Sequence, residues 1–262
     1  MEFQHIIYQK EGPAAYILLN HPEKRNPISP DTHRELQQAF DLCDDDEEVR
    51  VVVIRGSGGS FSAGGDLNVM KARIDAGVRG TRKVCRLGAE TNLRLRGVKK
   101  PVVAWVEGAA AGAGLALALS CDFQVVSETA KCVFAFVNIG FIPDSGTTML
   151  ATRAVGAVRA ADLFMSGRAF TGREGADWGL FTEAVPASRL EARVMEYVEK
   201  YGSGPTAAYA EIKALINRAQ YGGWSDMAAA EMDGQGRCEL TQDYREAVSA
   251  FLSKRKPRFQ GR

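Results

Sequence analysis

Twice in this chain an apolar, β-branched run ends in a cluster of glycines and small residues, then passes directly into a helix-like segment. Residues 51–55 lead into Gly56-Ser-Gly-Gly-Ser-Phe-Ser-Ala-Gly-Gly-Asp66-Leu67, and residues 102–106 lead into Gly108-Ala-Ala-Ala-Gly112-Ala113-Gly114. Short runs of this kind read as strands buried on both faces, and parallel neighbours need helical crossovers between them. Taken singly, the first turn reads as a flexible connector and the second as close helix packing. Neither follows the order of the phosphate-cradling signatures GxGxxG or GxxxxGK with Ser or Thr. As a pair, they can aim two helix-start amides at one point, and paired N–H donors are what a developing oxyanion needs.

The same alternation extends along the first half. A strand is expected at residues 14–19, followed by a helix from Ser29, where Ser29 as cap, Pro30 in the first turn and Asp31 form a start signal. Residues 67–95 carry a mostly helical pattern, 114–119 begin another helix, and 123–126 form a further strand. From about Ser145 onward the pattern is almost wholly helical, over 190–201, 206–220, 226–240 and 244–253. Helices with no strands to cover must bury their apolar stripes against each other or against another subunit. The expected class is therefore α/β, with a core domain over residues 1–200 and a helical C-terminal layer over 201–262.

Composition removes several function classes. The chain has 262 residues, 45% of them hydrophobic, enough for a sizeable core. Its 33 Lys and Arg against 32 Asp and Glu leave a net charge of +1, so no overall field attracts nucleic acid. The five cysteines show no CxxC spacing and read as reduced thiols. The N-terminal residues are too polar for a signal peptide, and the longest apolar stretch, residues 109–119, is too short for a membrane span. A cytoplasmic protein without membrane contact is expected. His5, His21 and His33 lie outside the two turns, which supports neither a Ser-His-Asp arrangement nor a metal site.

Consecutive segments resemble the motifs of the crotonase superfamily, the enoyl-CoA hydratases and isomerases. They are Asn20-His-Pro-Glu-Lys-Arg-Asn26-Pro, Phe61-Ser-Ala-Gly-Gly-Asp-Leu67, Gly108-Ala-Ala-Ala-Gly-Ala-Gly114, Ser120-Cys-Asp122, Ile139-Gly-Phe-Ile-Pro-Asp-Ser-Gly146, and Tyr244 through Pro257 at the end. The resemblance runs in order along essentially the whole chain. It implies a crotonase-type β-β-α spiral core, a homotrimer or dimer of trimers, and an acyl-CoA thioester ligand, with coenzyme A entering as part of the substrate and no separate cofactor or metal. Carried over by position, it implies oxyanion amides at Gly65 and Ala113 and an adenine contact at the Ala63 carbonyl. Asp66, Leu67, Phe136 and Phe141 would border the bound acyl-CoA. Lys24, Arg25 and Lys254 would approach its phosphates, although each of the three reads equally well as a solvated surface charge.

The pattern departs from the hydratases at two places. They carry one glutamate in the helix after the second turn and another before the Ile-Gly-x-x-Pro segment, where this chain has Ala116 and Phe136. Neither side chain can exchange a proton, so water addition by the usual pair of acids is not available. The acid in the right neighbourhood is Asp144, for which two readings stay open. After Pro143 and before Ser-Gly-Thr-Thr it fits a helix cap; and the segment 134–144 resembles the ring-isomerase branch of phenylacetate breakdown and some 3-enoyl-CoA isomerases, in which this aspartate is the acid/base. On that second reading one carboxylate removes an α-proton and returns it at the γ-carbon. Hydration through a water held by Asp144, nucleophilic attack by Asp144 as in related aryl-CoA dehalogenases, and acyl-CoA binding without turnover are the alternatives. The absence of a nearby histidine counts against the nucleophile. Asp66 and Asp122 read as helix-start and turn acids.

Overall fold

The computed structural model describes residues 3–262. The strands β1 (Ile6–Glu11) and β2 (Ala14–Leu19) form an antiparallel hairpin. The chain then repeats one unit four times: a long strand, a short strand, and a helix. β2 is followed by β3 (Pro27–Ile28) and α1 (Pro30–Asp45), and β4 (Val51–Gly56) by β5 (Gly64–Gly65), α2 (Leu67–Asp75) and α3 (Thr81–Gly97). Next come β6 (Val102–Val106), β7 (Ala109–Ala111) and α4 (Gly112–Ser120), then β8 (Phe123–Ser127), β9 (Lys131–Val133) and α5 (Thr147–Ser166).

The long strands assemble a six-stranded sheet in the order β1-β2-β4-β6-β8-β11, where β11 (Glu183–Val185) follows β10 (Ala169–Thr171) and α6 (Gly172–Asp177). All its pairs beyond the first hairpin are parallel. The short strands pair among themselves as β10-β9-β7 and β3-β5. This winding of long and short strands with an intervening helix is the β-β-α spiral expected of a crotonase-type α/β fold.

Both faces of the long sheet are covered, which is why its strands are continuous in Val and Ile. Val51, Val53, Val103, Trp105 and Val125 pack beneath Leu190, Val194 and Val198 of α7 (Ala187–Gly202). The alternate residues Val52, Ile54, Val102, Ala104 and Val106 face the larger core on the other side. The start of α1 matches its sequence signal: the Thr32 amide donates to Ser29 Oγ at 3.1 Å, and the Ser29 amide donates to Thr32 Oγ1 at 3.2 Å.

The mostly helical reading of residues 67–95 holds, with α2 and α3 separated by residues 76–80. Three other expectations are corrected. The helix of the second turn starts at Gly112, two residues before the expected 114. The region after Ser145 is not purely helical, since β10 and β11 lie within it; strands of three residues leave too short a pattern to separate from a loop. The last helices, α8 (Thr206–Tyr221), α9 (Trp224–Cys238) and α10 (Gln242–Leu252), do not pack only on one another: α9 lies against α3 and α5, and α10 against α2. Among the described residues no helix is long and apolar enough to cross a membrane.

Candidate active site

The two glycine-rich turns lie side by side and are stitched together by backbone bonds. Phe61 N–H donates to Glu107 O, Ser62 N–H to Ala109 O, and Ala111 N–H to Ser62 O, each at 2.9 Å. Small residues are required where the turns touch. A Cβ on Gly114 would overlap the Ser62 side chain, and one on Gly64, whose φ is +91°, would come within 2.8 Å of Ala111 O. The buried Asn26 shapes the first turn from outside, donating from Nδ2 to Ser57 O and Ser60 O at 2.8 Å each. Its motif position therefore serves the loop and not a ligand directly. Ser62 Oγ continues the frame, donating to Asn26 O at 2.7 Å and accepting from Gly64 N–H at 3.1 Å.

Gly65 and Ala113, one from each turn, border the same cavity, which has a volume of about 160 Å³. Ala113 is the second residue of α4, so no carbonyl within the helix can receive its amide. Among the described residues that amide donates to no group. Asp144 borders the same cavity, after a 3₁₀ turn at Val137–Ile139 and the left-handed Gly140. Phe141 stacks on Tyr244 of α10 at 4.0 Å between ring centres, fixing the segment just before the aspartate.

Three donors reach the Asp144 carboxylate: Ser145 Oγ at 2.9 Å on Oδ1, and Gln235 Nε2 at 3.2 Å and Cys85 Sγ at 3.3 Å on Oδ2. Burial raises its pKa from the ordinary carboxylate value, while the Ser145 and Cys85 donors pull it back. The helix-cap reading of Asp144 is not what is observed. Glu231 of α9, buried, caps α5 instead, accepting from Gly146 N–H at 2.8 Å and Thr148 N–H at 3.0 Å. Burial pushes the Glu231 pKa up to about 7. With the helix start satisfied from elsewhere, the Asp144 side chain is left to the cavity.

The sequence model of the enoyl-CoA hydratase/isomerase family matches residues 9–262. The chain belongs to this family. Relatives of full length include a 1,2-epoxyphenylacetyl-CoA isomerase of Escherichia coli, 33% identical over 100% of both chains. A trans-2-decenoyl-acyl-carrier-protein isomerase of Streptococcus mutans is 31% identical, also over 100% of both. The crystal structure of an enoyl-CoA hydratase from Mycobacterium avium subsp. paratuberculosis superposes with a TM-score of 0.90 at 29% identity, over 99% of this chain and 100% of that one. Named hydratases and isomerases both surround the chain, so it is an enzyme of the isomerase or lyase type acting within the acyl-CoA chemistry of the enoyl-CoA hydratase/isomerase family.

The carboxylates near the cavity differ in what they are bonded to. Ala116 is buried in α4, and Phe136 forms part of the cavity wall. Asp66 also borders the cavity, but its carboxylate caps α2, accepting from Asn68 N–H at 2.9 Å. Asp122 is committed elsewhere, to Val102 N–H at 2.9 Å and Lys213 Nζ at 2.7 Å. A larger cavity of about 320 Å³ beside that ion pair has its charged groups already engaged, Arg96 being bonded to Asn217 Oδ1 at 2.8 Å.

Ala63, Leu67 and Phe141 join Gly65, Ala113, Asp66, Phe136 and Asp144 around the cavity. Lys24, Arg25 and Lys254 do not border it; all three are exposed. The Arg25 carbonyl nevertheless accepts from Ala63 N–H at 2.7 Å, which holds that basic loop against the first turn. His33 does lie outside the two turns, yet it lines the cavity, buried, with Nδ1 unpartnered among the described residues and its pKa pushed down to about 4 by burial. The argument against a nucleophilic Asp144 from the absence of histidine therefore falls, although no hydrogen bond joins the two side chains. Sequence reasoning also missed Cys85, Glu231 and Gln235. The only available signal for the last two was a pair of polar residues one turn apart on one face of α9.

Proposed function

We propose that the chain shifts the double bond of an enoyl-CoA thioester, with Asp144 as the proton shuttle. The observation that carries this reading is the cavity itself, where Asp144 supplies the one lining carboxylate not spent on capping a helix and shares the space with Gly65 and Ala113, while Ala116 and Phe136 stand where the family resemblance puts the hydratase glutamates. In a 3-enoyl-CoA, Asp144 would remove an α-proton, and the electron pair would spread over the thioester oxygen and the γ-carbon. The Gly65 and Ala113 amides would hold the oxyanion, each donor contributing about 2.7 to 4 kcal/mol in comparable sites. The same carboxyl would then return the proton at the γ-carbon, leaving the 2-enoyl product without net gain or loss of atoms. A raised pKa suits a group that must both take and give a proton near neutral pH.

Coenzyme A would enter as part of the substrate, with no separate cofactor. Lys24, Arg25 and Lys254 would meet its phosphates, and the Ala63 carbonyl its adenine. We further propose that residues 201–262 carry contacts between protomers of a homotrimer or dimer of trimers, a reading supported by the exposed Ile212, Leu215 and Ile216 on α8. The test of the reaction is incubation with 3-enoyl-, 2-enoyl- and aryl-CoA thioesters, read by mass and NMR. Isomerisation leaves mass constant, whereas hydration adds a water. Asp144→Asn should lower isomerisation by roughly 10²- to 10⁴-fold with CoA affinity near wild type; unchanged turnover would end the shuttle assignment.

A further inference from the structure

We propose that Gln235 is a positioning residue that confines the travelling proton to Oδ1 of Asp144, an inference that rests on the shuttle role given to that aspartate above. The two carboxylate oxygens are not equivalent. Oδ2 receives Gln235 Nε2 and Cys85 Sγ, and Oδ1 receives only the Ser145 hydroxyl. A hydroxyl can turn, donating to a carboxylate and accepting from a carboxylic acid. The Gln235 amide cannot. Its Nε2 also donates to Ile142 O at 2.6 Å, and a carbonyl oxygen can only accept. Reversing the amide would set Oε1 against Ile142 O and lose both bonds at once. Gln235 therefore presents an N–H to Oδ2 in both protonation states, and a proton placed there would face another donor. The same proton on Oδ1 meets a hydroxyl able to reverse.

The donor side of the amide is held by Ile142 O and Asp144 Oδ2, while its buried Oε1 has no partner among the described residues. Gln235 is fully buried, and one turn earlier on the same face of α9, Glu231 ties down Gly146 and Thr148. α9 thus grips the chain on both sides of Asp144, at Ile142 and at Gly146. The corner needs a hold of this kind, because Ser145 and Gly146 both have positive φ, +58° and +80°, and such a conformation is strained for serine. The titratable groups facing Asp144 are Cys85 from α3 and Glu231 from α9; His33 of α1, Asp66 at the start of α2, Arg73 of α2 and Tyr244 of α10 border the same cavity.

The experiment is the pH profile of kcat and KM for wild type, Gln235→Leu and Gln235→Glu, with Asp144→Asn in the same assay. In parallel, the Asp144 carboxyl is titrated by NMR in enzyme labelled with ¹³C-aspartate, the Asp144→Asn spectrum identifying its signal. Removing the donor from Oδ2 should lower kcat by roughly tenfold or more with KM within about twofold, and should move the acid limb and the carboxyl midpoint to higher pH, since a donor that favoured the ionised form is gone. Gln235→Glu should move both further in the same direction by placing a like charge at Oδ2. An unmoved midpoint in either folded variant, or a raised KM with unchanged kcat, overturns the proposal. Active Asp144→Asn enzyme would defeat the shuttle reading instead, and the carboxyl midpoint would still report on Gln235.

Discussion

The two glycine-rich corners and the aspartate border one cavity but are held in place in opposite ways. The corners are built from backbone and from missing side chains: Gly64 and Gly114 leave room for the neighbouring turn, and three short amide bonds tie the strands of the pair together. Asp144 is held by side chains from far along the chain, Gln235 lying 91 residues away and Cys85 lying 59. The first arrangement depends on few rotamers, since only the buried side chains of Asn26 and Ser62 add to its backbone bonds. The second can be tuned, since each contact is a separate side chain whose removal leaves the backbone path intact. On the proposed function, enolate stabilisation would belong to the first part and the acid/base to the second.

The comparison is best broken at Gly114. Gly114→Val would push Ser62 away and separate the turns, which should cost about 1 to 3 kcal/mol of stability by overpacking and lower turnover by roughly 100-fold, as misplaced amides lose the oxyanion. Thermal unfolding and single-turnover rates measure the two effects; a stable, fully active variant would mean that the corners are not rigid. A smaller effect is expected at the tunable part. Glu231→Ala leaves the Gly146 and Thr148 amides without their acceptor and should cost about 1 to 3 kcal/mol.

The pH dependence sharpens the second case. Because Glu231 binds its proton more tightly folded than unfolded, it favours the folded state at low pH, and that contribution is lost as pH rises from the ordinary value of 4.5 through about 7. Unfolding midpoints followed from pH 4.5 to 8 should therefore fall more steeply in wild type than in Glu231→Ala, and parallel curves would contradict the raised pKa. The smallest effect is expected at the exposed charges. Lys24→Ala or Lys254→Ala should raise KM for an acyl-CoA by less than roughly fivefold at low salt, given the modest worth of exposed ion pairs, and should leave kcat alone. KM values that ignore both substitution and salt would remove these residues from the CoA site.

What was legible in the sequence follows the same division. Val51 through Ile54 and Val102 through Val106 announce strands buried on both faces, Ser29 and Pro30 announce a helix, and the glycine turns announce two corners, because each signal is local. The pairing of those corners followed from their repetition. The capping of α5 did not: Asp144 has every local mark of a helix cap, but Glu231 takes that role from a distant helix. The place of His33 in the cavity was not legible for a similar reason, since it depends on how α1 packs across the sheet. The strands β10 and β11 were hidden by brevity, and the division of 67–95 into two helices turned on glycines that a helical pattern can also tolerate.

Tyr244 and Phe251, both from α10, help to enclose a cavity to which Gly65, Ala113 and Asp144 are brought by the spiral repeats. Part of the cavity wall is therefore furnished by a helix that follows the repeats. Phe251 can change in bulk at that wall while Tyr244 keeps its stack on Phe141, so the space open to a ligand can drift without moving the segment that carries Asp144.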